Sequence, residues 1–144
     1  MSISPSEKIK VSIDGNIATV VIDNPAANTW DRESLPALKQ VIGALNADLS
    51  VYALVLTGAG EKFFSAGADL KERKAMPAHE VPAFVSLIGG TFQKIAECPV
   101  PFIAAIDGFA FGGGLEVALA CDIRAVGSAA KMGLTETRLA IVPG

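Results

Sequence analysis

The chain has 144 residues, 51% of them hydrophobic and 19% charged, with a mean hydropathy of +0.44. That is enough for one domain with a real core, slightly richer in apolar residues than an ordinary soluble domain. A net charge of −3 and a pI near 5.1 leave no electrostatic footprint for nucleic acid. The longest apolar stretch, residues 99–123, is interrupted by Asp107, Glu116, Asp122 and several glycines, which excludes a membrane span of about 20 uncharged residues.

Residues 8–23, KIKVSIDGNIATVVID, alternate apolar and polar positions around Asp14-Gly15, the pattern of a β-hairpin whose glycine supplies the positive φ of a tight turn. NPAANTWD then breaks the pattern, and its Asp31 is placed to cap the next element. In RESLPALKQVIGALNAD, residues Leu35, Leu38, Val41, Ile42 and Leu45 recur at helical spacing, with Pro36 tolerable only near the first turn. VYALVLTG reads as a short buried strand, and GAGEKFFSAGAD as the loop after it. A second helix is expected over residues 80–96, with Gly89-Gly90 its weak point. PVPFIAAIDG is another buried strand, its prolines suiting the start better than the middle. GGGLEVALACDI follows as a central helix, and KMGLTETRLAIVPG closes the sequence without a clear period. Strands alternate with helices throughout, which predicts an α/β architecture, and no internal repeat is visible in the residues.

Two cysteines, Cys98 and Cys121, form neither a disulfide framework nor a CxxC pair and read as buried thiols in a reducing compartment. MSISPSEKIK has neither an apolar signal core nor an arginine-rich amphipathic pattern, so a cytoplasmic protein is expected. No P-loop string occurs, and the glycines at 112–114 miss a dinucleotide fingerprint because its sixth position is Val117. Ser128 to Lys131 matches SxxK without the partner motifs of the serine acylases. The single histidine, His79, in a polar stretch, supports neither a histidine metal site nor a Ser-His triad.

The informative stretch is FGGGLEVALACDI. A carboxylate in an apolar run and three consecutive glycines are both locally costly, and two such costs together mark a site. A strand feeding a glycine-rich turn at a helix start presents outward N–H groups able to hold an oxyanion, with Glu116 beside them. SAGAD, residues 65–69, can offer another N–H, and Glu136 is a second carboxylate in an uncharged neighbourhood. Taken singly, each has a plainer explanation: Glu136 pairing with Arg138, the glycines permitting close helix–strand packing. Together they are the parts needed for proton transfer beside a thioester carbonyl.

At these residues the chain resembles the enoyl-CoA hydratase (crotonase) family along nearly its whole length. FFSAGADLKE is similar to the family's first oxyanion loop, AAIDGFAFGGGLEVALACDI to its second loop and central helix, and MGLTETRLAIVPG to the segment with its second acid. Within the family, AGADLKERK and KMGLTETRLAIVPG are most similar to the branch containing AU-binding methylglutaconyl-CoA hydratase. The resemblance implies a repeated ββα spiral core over residues 1–144, lacking the usual C-terminal helical region and therefore incomplete at that end. It implies a hydratase that adds water to a 2-enoyl-CoA in fatty-acid or related thioester metabolism, with Glu116 and Glu136 as catalytic acids and bases and the N–H groups of Ala68 and Gly113 as oxyanion donors. Ala66, Ala68, Asp69, Leu70, Lys71 and Gly113 would meet the acyl-CoA. No cofactor or metal is expected, coenzyme A being part of the substrate. Family members build trimers or hexamers through the C-terminal region, and the same is expected here where that region is present. The helix associated with RNA binding in that branch is lysine-rich, whereas the matching segment here has only Lys39, so no nucleic-acid or membrane partner is expected. The alternatives are another crotonase-type reaction, isomerisation or decarboxylation, or a catalytically incomplete fragment.

Overall fold

The computed structural model describes residues 3–143. Alternation in the first segment does produce a hairpin: β1 (Ile9–Asp14) pairs antiparallel with β2 (Ile17–Ile22), Asp14 opposite Ile17. The turn is therefore Gly15-Asn16, one residue later than the sequence suggested, with Gly15 at φ +57°. In α1 (Ser34–Ala47), Asp31 acts as the expected cap. Its Oδ1 accepts from the Ser34 N–H at 2.7 Å and the Glu33 N–H at 3.0 Å, and its carbonyl accepts from the Leu35 N–H at 3.2 Å. The helix then carries the chain back so that β3 (Ala53–Gly58) can lie parallel to β2, a pairing that always needs a long crossover.

After β3 come β4 (Phe63–Ser65), α2 (Leu70–Ala75), a 3-10 turn at Ala78–Glu80 and α3 (Val81–Ala96), which runs unbroken through Gly89-Gly90. β5 (Phe102–Ile106), β6 (Phe109–Phe111) and α4 (Gly113–Ala120) follow, then β7 (Ile123–Val126), β8 (Lys131–Gly133) and a 3-10 turn at Glu136–Leu139. The last full helix thus ends at Ala120 and does not reach Ile123. Asp122 stops it by exchanging two bonds with Phe102: its N–H donates to the Phe102 carbonyl at 2.9 Å, and its Oδ2 accepts from the Phe102 N–H at 2.8 Å. Those bonds start β7 alongside β5.

The strands alternate between two sheets. β1-β2-β3-β5-β7 form one, parallel after the hairpin, and β4-β6-β8 form the other, parallel throughout. Each pair β3/β4, β5/β6 and β7/β8 sends its first strand to the large sheet and its second to the small one, with helical residues next. This is the ββα repeat that the resemblance implies, an architectural repetition without a visible repeat of residues. The large sheet buries Val20, Leu54, Leu56, Phe102 and Ala104 completely against Leu35, Leu38 and Val41 of α1 and the apolar face of α3. β7 lies at the sheet edge with all four residues exposed. Among the described residues no helix is long and apolar enough to cross a membrane. Cys121 is buried, and burial pushes its thiol up to about 12, leaving no thiolate at neutral pH.

Candidate active site

Parallel sheets present ligands beyond the carboxyl ends of their strands. In the small sheet those ends lie side by side: Ser65 of β4 pairs with Ala110 of β6, and Phe111 of β6 pairs with Gly133 of β8. The residues just beyond the three ends include Ala68, Gly113 and Glu136, so strand pairing brings together groups that are far apart in the chain. They surround a cavity of about 190 Å³ whose lining includes Trp30, Ala66, Ala68, Gly112, Gly113, Glu116 and Glu136.

The three consecutive glycines each have their own reason. Gly112 takes φ +51°, and a Cβ there would stand 2.9 Å from Oε1 of Glu136. Gly114 lets α4 press on β4: a Cβ would sit 2.0 Å from the Ser65 carbonyl oxygen. Gly113 lies between the Trp30 ring, 3.4 Å from where a Cβ would be, and the Cα of Gly67 at 3.5 Å. Close packing and site-building, which the sequence left as alternatives, therefore both hold, on different glycines.

Gly67 completes the arrangement. At φ +90° it turns the chain so that Ala68 follows beside Gly113, and a Cβ on it would lie 2.8 Å from the Gly113 nitrogen. Backbone bonds fix the loop: Trp30 N–H to the Gly67 carbonyl, Asp69 N–H to the Trp30 carbonyl, both 2.8 Å, and Ala66 N–H to the Ala27 carbonyl at 2.9 Å. Trp30, fully buried, donates from Nε1 to the Gly113 carbonyl at 3.3 Å and meets Phe92 edge-on with centroids 5.8 Å apart. Among the described residues, neither the Ala68 N–H nor the Gly113 N–H donates a hydrogen bond.

The two carboxylates flank this backbone. Oε2 of Glu116 lies 3.6 Å from the position a Gly113 Cβ would take, across from Glu136 at Gly112. Oε2 of Glu136 is shielded from solvent and has no hydrogen-bond partner among the described residues. No ion pair joins Glu136 to Arg138 among those residues, so the plainer explanation of that acid does not apply.

Of the sequence-expected positions, Ala66, Ala68, Leu70, Gly113, Glu116 and Glu136 line the cavity. Asp69 and Lys71 lie outside the lining. The Asp69 carboxylate caps α2, accepting from the Lys71 N–H at 2.9 Å and the Glu72 N–H at 3.1 Å, while Lys71 is exposed. Sequence reasoning missed Trp30, Arg73 and the wall of Phe84, Val85 and Ile88. The helical spacing of 84, 85 and 88 marks an apolar face; nothing local marks Arg73.

Residues 12–144 match the family model described as enoyl-CoA hydratase/isomerase. The chain is 51% identical over 117 residues to the mitochondrial methylglutaconyl-CoA hydratase of Rattus norvegicus, covering 81% of this chain and 37% of that protein. It is 43% identical over 132 residues to the short-chain-enoyl-CoA hydratase of Clostridium acetobutylicum, covering 91% and 51%. The structure of Pseudomonas aeruginosa DspI superimposes with a TM-score of 0.93 at 44% identity, covering 96% of this chain and 57% of that one. The chain thus spans about half or less of the length of the curated relatives it matches.

Proposed function

The chain belongs to the enoyl-CoA hydratase/isomerase family, and from that premise we propose that its function is the reversible addition of water to a 2-enoyl-CoA thioester. The observation that carries the reading is two carboxylates, and two N–H groups that have no acceptor among the described residues, converging on one cavity. The thioester oxygen takes hydrogen bonds from the Ala68 and Gly113 N–H groups, which stabilise charge as it develops there. Glu116 removes a proton from water as the oxygen bonds to C3, and the electron pair of the double bond moves into the enolate. When the enolate collapses, C2 takes a proton from Glu136; passage of the first proton from Glu116 to Glu136 restores both groups. The shielded Oε2 of Glu136, without a hydrogen-bond partner among the described residues, supports it as the donor. The relatives' names favour hydration, and the rat protein's name favours a short branched acyl group.

Hydration of but-2-enoyl-CoA, followed as loss of the conjugated-thioester absorbance, tests this directly. Glu116→Gln and Glu136→Gln should each lower kcat by about 10²–10⁴ while the fold is kept. Full activity in either variant would overturn the paired-carboxylate reading, and product analysis would reveal isomerisation in place of hydration.

A further inference from the structure

We propose that Trp30 is the positioning residue of the donor pair: it sets the spacing between the Ala68 and Gly113 N–H groups. This rests on the oxyanion role given to those groups under the hydratase reading.

Trp30 has three polar groups, and all of them bond to the two loops that carry the donors. Its N–H donates to the Gly67 carbonyl and its carbonyl accepts from the Asp69 N–H, each at 2.8 Å. These bonds make the parallel bridge between Trp30 and Ala68. In such a bridge the opposite chain bonds through the residues on either side, so the N–H of Ala68 itself points away from Trp30. The side chain then reaches the other loop, where Nε1 donates to the Gly113 carbonyl at 3.3 Å. One residue thus orients the first donor through its main chain and holds the second through its ring.

Backbone contact limits the spacing from the other side. Gly67 and Gly113 already touch so closely that a Cβ on Gly67 would lie 2.8 Å from the Gly113 nitrogen, so the loops cannot close further. Trp30 spans both and keeps them from opening. The span is itself anchored. Phe92 meets the ring edge-on, with centroids 5.8 Å apart. Two residues earlier, Nδ2 of Asn28 donates to the Ala59 and Phe63 carbonyls, each at 2.9 Å, and one residue later Asp31 caps α1. A fully buried tryptophan needs a partner for its indole N–H in any case. One that only filled the core could find that partner anywhere; here the partner is the residue that carries the second donor.

Spacing matters because both hydrogens must reach one oxygen, with donor distances of about 2.7–3.1 Å. A displacement of about 1 Å costs turnover more than binding.

The test uses full-length protein with Trp30, with Trp30→Phe, and with benzothienylalanine at position 30, which replaces the indole N–H by sulfur and keeps the ring's size. One readout is the infrared carbonyl stretch of bound butyryl-CoA, isotope-labelled at the thioester carbonyl and unable to react. The other is kcat and KM for but-2-enoyl-CoA. Binding to the wild type should lower the stretching frequency, and both replacements should remove about half of that shift or more, as one of the two donors moves out of line. Their kcat should fall roughly 10- to 100-fold, with KM changed by less than about threefold. A wild-type carbonyl shift and kcat in the benzothienylalanine protein would overturn the proposal. So would losses confined to KM or to the melting temperature with the carbonyl shift intact, since Trp30 would then be only cavity wall or core. Hydration and positioning fail separately. Turnover indifferent to the indole N–H keeps hydration and removes the positioning role. A Trp30-dependent carbonyl shift without turnover does the reverse.

Discussion

At Gly67 the spacing of the two N–H donors depends on a missing atom. A Cβ there would press on the Gly113 nitrogen at 2.8 Å and the Phe111 carbonyl at 3.0 Å, both backbone atoms that cannot swing aside, at a φ of +90°. Gly67→Ala should therefore part the loops and cut kcat by about 10²-fold or more, while lowering the melting temperature by only about 5–10 °C. Wild-type turnover in the Gly67→Ala variant would show that the donors do not act as a pair. Residues of this kind were partly legible in the sequence. Glu116 and the glycine run stood out because each breaks a local rule of the helix it occupies. Gly67 sat in a stretch read as a loop rich in small residues, and its reason, a contact with residue 113, is invisible without the fold. Arg73 was not legible at all, since nothing in LKERKA sets it apart from Lys71 and Lys74 beside it.

The start of α1 is the element whose electrostatics are easiest to test. Burial alone would raise the Asp31 carboxyl, but the Lys8 ammonium at 2.6 Å and the Ser34 N–H outweigh it and hold the group below the ordinary aspartate range. Asn24 adds a donor at 2.9 Å. A depressed folded value means the contribution is complete above the unfolded value near pH 3.8 and is lost as pH falls through the folded value. Urea midpoints should accordingly be flat on this account from pH 7 to 5 and drop below about pH 4, with a shallower acid limb in Asp31→Asn. Asp31→Ala should cost about 2–3 kcal/mol at neutral pH; a loss under about half a kcal/mol would place the cap outside the stability-determining contacts. Elements of this length announce themselves by period and cap. β4, β6 and β8, at three residues each, cannot show a period of two, and it is their parallel pairing that assembles the site.

Across the whole molecule, protection from hydrogen exchange should follow sheet order. β3, flanked on both sides by β2 and β5, should exchange most slowly, and β7, exposed along its length at the outer edge, fastest within the large sheet. Mass spectrometry on the 144-residue chain checks this; equal protection of β3 and β7 would mean that another chain covers the edge. The layout has a further consequence, which follows from the backbone contact between Gly67 and Gly113. The candidate oxyanion donors are main-chain N–H groups just beyond strand ends, whereas Arg73, Phe84, Val85 and Ile88 project from helices that merely lean over them. On the hydratase reading, substitutions in those four side chains can change which thioester enters without moving a donor or an acid. After gene duplication, descendants of such a protein would diversify in diet long before they diversified in chemistry.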